Sequence, residues 1–176
     1  MRARCQPTGT VFEDPTTNYQ VQTNDMKSFF FLDPDNGGAT LAKWTLPRDQ
    51  TKFENCTLHN YNVVPTKKRD VLVQGSYQSG IGVLDFTDLN NIREVAFADP
   101  RPLSETLTEA KTPAQLGGDW SSHWYNGFVY QSDISRGFLS WVHTADTFRG
   151  ARQLSRLNPQ TQEYTTNKGR GDDRDD

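Results

Sequence analysis

Val71–Asp88, VLVQGSYQSGIGVLDFTD, is two short β-forming runs joined by a polar turn that carries glycine, and the chain writes this unit three times. Phe29–Leu46 (FFFLDPDNGGATLAKWTL) begins forty-two residues earlier, and Phe128–Ala145 (FVYQSDISRGFLSWVHTA) begins fifty-seven residues later. Laid over one another without gaps, the copies open on three apolar residues each: Phe29, Phe30 and Phe31; Val71, Leu72 and Val73; Phe128, Val129 and Tyr130. Each reaches a glycine at one fixed offset (Gly38, Gly80, Gly137) and closes on a threonine at another (Thr45, Thr87, Thr144). Self-similarity at a period of about forty residues marks an array whose units cannot bury their faces alone.

Outward from this unit the second copy is the most complete. Leu58–Val64 precedes it as an innermost strand, Pro65–Asp70 forms a charged turn, and Arg93–Ala98 alternates as an outer strand. Four short antiparallel strands in about forty residues make one propeller blade. Gly82 interrupts the alternation of the third strand and predicts a bulge there. The fold class is therefore all-β, a partial β-propeller of about three four-stranded antiparallel blades over residues 19–158. A weak first strand falls on Tyr19–Val21, and Ala151–Leu157 supplies an outer strand for the last blade.

The turns are written in residue chemistry. Asp33-Pro34-Asp35-Asn36-Gly37-Gly38 combines a proline-set φ with residues that accept positive φ, and Asn126-Gly127 between aromatic β-formers is a two-residue hairpin. The first turn also has the Asp-x-Asp spacing of a calcium loop. Its twelfth position, where a bidentate carboxylate is needed, is Trp44, so a plain hairpin turn is the better reading. Residues 99–118 interrupt the array, and inserts of this kind map to one face and often carry binding. Residues 1–18 are irregular, and the polar tail 159–176 reads as disordered; its Arg170-Gly171-Asp172 is a coincidence of biased composition.

Composition narrows the functional classes. A net charge of −3 gives no basis for a nucleic-acid surface. No stretch approaches the ~20 apolar residues of a membrane span, and the first residues lack the apolar core of a secretory signal. A hydrophobic fraction of 34% with 11% aromatics suits thin sheets in which a few large rings supply the buried area. Cys5 and Cys56 make no metal-ligand spacing and read as unpaired thiols. Asn55-Cys56-Thr57 fits a glycosylation sequon, a weak signal alone. There is no GxSxG elbow and no phosphate loop, so the sequence points to no catalytic residue, cofactor or metal.

The segments CTLHNYNVVP, GSYQSGIGVLDFTD and GGDWSSHWYNGFVYQSDISRG, within residues 56–145, resemble the secreted, chiefly bacterial β-propeller proteins with LVIVD-type repeats. The resemblance implies the last blades of a longer propeller that carries a signal peptide, and hence an extracellular or cell-envelope location. It implies no settled enzymatic activity.

Candidate binding residues sit on the inner strands and the central turn: His59, Asn60, Asn62, Tyr77, Gln78, Trp120, His123 and Trp124. If the loop after Pro65 centres on Lys67, Tyr61 pairs with Val73, and an even offset puts His59 and His123 on one face. With Asp119 or Asn60 nearby they could hold a metal, although two histidines fall short of a zinc ligand set. Asp85, Asp88 and Asp133 read as turn carboxylates that bond nearby N–H groups. Two functions follow. The first is a non-catalytic binding or scaffold module for a protein, peptide or carbohydrate, needing the remaining blades of a parent chain. The alternative is a propeller enzyme, a hydrolase or lyase, using the histidines with a metal or carboxylate. Three blades leave two end faces bare, so the isolated chain is expected to associate.

Overall fold

A computed structural model describes residues 27–48, 55–101, 103, 117–144 and 146–151. Among the described residues nine strands run β1 Ser28–Asp33, β2 Ala39–Thr45, β3 Tyr61–Val64, β4 Val71–Gly75, β5 Ile81–Asp85, β6 Arg93–Ala98, β7 Asp119–Tyr125, β8 Phe128–Asp133 and β9 Gly137–Val142. Every pairing is antiparallel, and the strands form sheets of two (β1-β2), four (β3-β4-β5-β6) and three (β7-β8-β9). Among the described residues only single 3-10 turns, Pro34–Asn36 and Asp146–Phe148, interrupt this all-β arrangement.

The three matching hairpins are β1-β2, β4-β5 and β8-β9. The fixed-offset glycines Gly38, Gly80 and Gly137 have φ of 79°, 70° and 80°, in the left-handed region that side chains with a Cβ enter at a cost. Asn126 and Gly127 both have positive φ, as a two-residue hairpin turn requires, and that turn pairs His123 with Tyr130 as expected. Asp33, Asp85, Asp88 and Asp133 each accept a backbone N–H two residues on, which closes their turns locally.

The sheets stack face to face, and the middle one is buried on both sides. Its odd-numbered residues Val71, Val73, Ile81 and Val83 pack with Trp124 and Val129 of the third sheet. Its even-numbered Leu72 and Leu84 pack with Trp44, Leu46, Phe29 and Phe31 at the first sheet. Strict alternation on a doubly covered sheet gives β4 an unbroken buried run. Arg48, just beyond β2, clamps the first sheet to the second. Its Nε donates to Glu94 Oε2 at 2.8 Å, its Nη1 donates to the Ser79 carbonyl at 2.7 Å, and its guanidinium lies over Phe97. Burial pushes the Glu94 carboxyl up, against the pull of Arg48.

Three sequence expectations are corrected. β3 pairs one residue out of the expected register, with Asn62 rather than Tyr61 opposite Val73. The loop between β3 and β4 has an even number of residues, closed by the Thr66 N–H on the Val64 carbonyl and by the Thr66 hydroxyl on Arg69. The bulge lies not at Gly82, which pairs regularly with Gln74 and Phe97, but between Val83 and Leu84 against β6. Gly82 instead makes room, since a Cβ there would stand 2.5 Å from both Gln74 Nε2 and Glu94 Oε1. Cys56 is half of a disulfide rather than a free thiol. The sequence offers one other cysteine, Cys5, which lies outside the described residues along with 1–18, Tyr19–Val21, most of the 99–118 insert and the tail 159–176.

Candidate functional site

The turn between β4 and β5 joins the second sheet to the third. Tyr77, held at φ 47°, exchanges two backbone hydrogen bonds with Asp119: its N–H donates to the Asp119 carbonyl at 3.1 Å, and its carbonyl accepts from the Asp119 N–H at 2.7 Å. Gln78 extends the seam. Its Oε1 accepts from the Asn55 N–H at 2.7 Å and its Nε2 donates to the Gly117 carbonyl at 2.7 Å, tying the end of the insert to the second sheet.

Above this seam three candidate residues meet. The rings of His59 and Trp120 are 4.2 Å apart, those of His59 and Tyr77 5.3 Å, and those of Tyr77 and Trp120 5.7 Å, the last two edge to face. His59 is exposed, and Trp120 keeps 48% of its surface in solvent. The Trp120 carbonyl can only accept, so His59 Nδ1 carries the proton in this contact, and the ring itself is exposed. Each ring comes from a different segment: His59 from the approach to β3, Tyr77 from the β4-β5 turn, and Trp120 from β7.

Beneath the rings the seam is polar and buried. Asp119 is fully buried; its Oδ2 accepts from the Ser122 hydroxyl, and its Oδ1 has no partner. The register shift between Asp119 and Ser121 turns Asp119 and Ser122 toward the same side, against Gly75, where a Cβ would lie 2.8 Å from Oδ2. Burial raises the Asp119 carboxyl to about 7, opposed by the Ser122 hydroxyl and reinforced by the charge of Asp133. Asp133, the cross-strand partner of Asp119, goes the other way. Burial pushes it up, but the N–H groups of Arg136, Ser135 and Gly118 and the Arg136 guanidinium hold it below its ordinary value.

The other candidates are placed differently. Asn62 is fully buried, its Oδ1 accepting from the Trp124 N–H at 2.9 Å across the sheet interface. Trp124 lies in the core between the second and third sheets, 1% exposed, because the β7-β8 register faces it with Val129 toward Val71 and Val73. His123 shares a face with Tyr130 on the outward side of the third sheet, its Nδ1 buried without a partner, and burial lowers its basicity. His59 contacts Tyr77 and Trp120 instead, so the shared face argued from the expected register does not survive the one-residue shift. Asn60, beside His59, has a buried Oδ1 without a partner. Among the described residues no group of three His, Cys, Asp or Glu side chains could hold a metal, and no helix is long and apolar enough to cross a membrane.

Sequence reasoning missed Arg48 and the opposed Asp119–Asp133 pair. The Asp-x-x-Arg spacing at Asp133–Arg136 was a signal for half of that pair; nothing local marks Asp119, whose burial comes from a turn about forty residues away. No family model, curated protein or solved structure matches the chain.

Proposed function

We propose that this chain is a non-catalytic β-propeller binding module, its sheets acting as blades, with a carbohydrate or peptide ligand lying on the His59–Tyr77–Trp120 surface. The observation that carries the reading is this exposed cluster of three rings above a hydrogen-bonded seam between two sheets. Aromatic faces with an imidazole at their edge suit ligands that are apolar on one face and hydroxylated at the rim. The rigid bridge beneath fixes the rings before any ligand arrives, which limits the ordering entropy of binding. The resemblance to LVIVD-type propellers and the disulfide at Cys56 support a secreted or cell-envelope protein, since disulfides persist in oxidising compartments. Titration of the protein with a panel of oligosaccharides and peptides, followed by the Trp120 indole resonance, tests the reading. Saturable shifts that Trp120→Ala abolishes support it; no shift across the panel refutes it.

A second reading, a hydrolase or lyase, draws on the two carboxylates whose environments push them apart. Asp119 and Ser122 are closed to solvent, which favours a structural role for the pair. Turnover with an apparent pKa near 7 that Asp119→Asn removes would reverse this preference.

A further inference from the structure

The same position rule governs both sheet interfaces. In the first two aligned copies the first and third residues of the opening triplet face the following sheet, and in the last two the second residue faces the preceding one. Phe29 and Phe31 meet Leu72, and Val71 and Val73 meet Val129. Continued outward, the rule assigns an occupant to each bare end. Phe128 on β8 corresponds to Val71, Tyr130 to Val73 and Phe138 to Ile81, all residues that a following sheet covers in the middle unit. Here Phe128 and Phe138 are exposed, Phe138 to 69%, and the Phe128, Tyr130 and Phe138 rings stack with centroids 6.1 and 5.6 Å apart. At the other end Phe30 corresponds to Leu72 and Val129, residues that a preceding sheet covers. It lies exposed with Leu32 and Leu41 on the outward face of β1-β2.

We infer that the outward face of β8-β9 is a docking surface for the outward β1-β2 face of a second copy of this chain, which stacks head to tail as a third interface of the kind already present twice. Such an interface is heterologous: each copy offers one face and receives on the other. It rests on the position rule and not on the ligand-binding reading, so it can fail while that reading stands.

The test uses two full-length variants, Phe30→Glu and Phe138→Glu, each with one end blocked, and measures mass by light scattering with chromatography. Both positions are exposed, and near-UV circular dichroism checks that each variant keeps the parent packing. The parent chain should gain mass with concentration, and each variant alone should stay monomeric. An equimolar mixture should form a particle of twice the monomer mass, because one intact β1-β2 face then meets one intact β8-β9 face. Leu41→Glu with Val142→Glu repeats the design on the same faces should a first variant misfold. A parent chain that remains monomeric overturns the proposal and leaves the end faces to sheets of a longer chain. So does a mixture that stays monomeric, or mass growth that ignores which end is blocked.

Discussion

Asp119→Asn offers a sharp test of the buried seam. The carboxyl rises from its ordinary 3.8 to about 7. At 1.36 kcal/mol per pKa unit, holding it ionised in the folded chain costs about 4 kcal/mol, and relaxation brings the measurable value to about 2–4 kcal/mol. The folded state retains this proton over a range in which the unfolded state has released it. Stability therefore falls as pH rises from about 4 to about 7 and is flat above, where both states are ionised. Asparagine keeps the shape and an acceptor for Ser122 but never ionises. The variant should be more stable than the parent at pH 8 by about 2–4 kcal/mol, with the difference shrinking toward pH 4. Urea unfolding of both proteins at several pH values gives that difference directly. Subtraction cancels Glu94, whose raised carboxyl has the same sign, and the half-buried His123 and His143, whose lowered basicity has the opposite sign. A difference that does not vary with pH would refute a neutral Asp119.

Three further expectations concern the interfaces. Gly80→Ala should cost more than 3 kcal/mol in chemical denaturation, because its Cβ would lie 2.1 Å from the Ala98 carbonyl, whereas Gly38→Ala, with nothing within 4 Å, should cost only about 1 kcal/mol of backbone strain. Equal costs at the two sites would contradict the packing around the central turn. Asn62→Ala strands the buried Trp124 N–H and should lower stability by about 1–3 kcal/mol while accelerating exchange of that amide, as native-state hydrogen exchange would show. Arg48→Ala leaves the Glu94 carboxylate buried without its cation and should cost about 3 kcal/mol at pH 7 and less at pH 4, where Glu94 can protonate; thermal melts at the two pH values check it.

The turns and the hairpin pairings were legible because local chemistry writes them: Asn126-Gly127 and the fixed-offset glycines dictate backbone angles that few other residues adopt. The facing of β3 was not. Whether the loop after Pro65 holds an odd or even number of residues decides every side chain on that strand, and Thr66 closes it in a way composition does not announce. Of the candidate residues, His59, Tyr77 and Trp120 form one surface, whereas Asn62 and Trp124 are the mortar between sheets, a distinction that follows from stacking and not from residue type. Asp119 looked like an accessory ligand, yet only the approach of the Tyr77 turn makes it a buried acid.

The double burial of the middle sheet also bears on how the molecule comes apart. Both apolar clusters draw residues from β4 and β5, so neither outer sheet can detach without baring one side of the centre, while the centre cannot open before both have gone. Coupling of this nearest-neighbour kind makes loss of structure sequential, from the rims inward. On slow heating, amide protons of β1 and β9 should wash out first and those of β4 and β5 last, so that the middle hairpin works as the keystone whose release marks the end of melting.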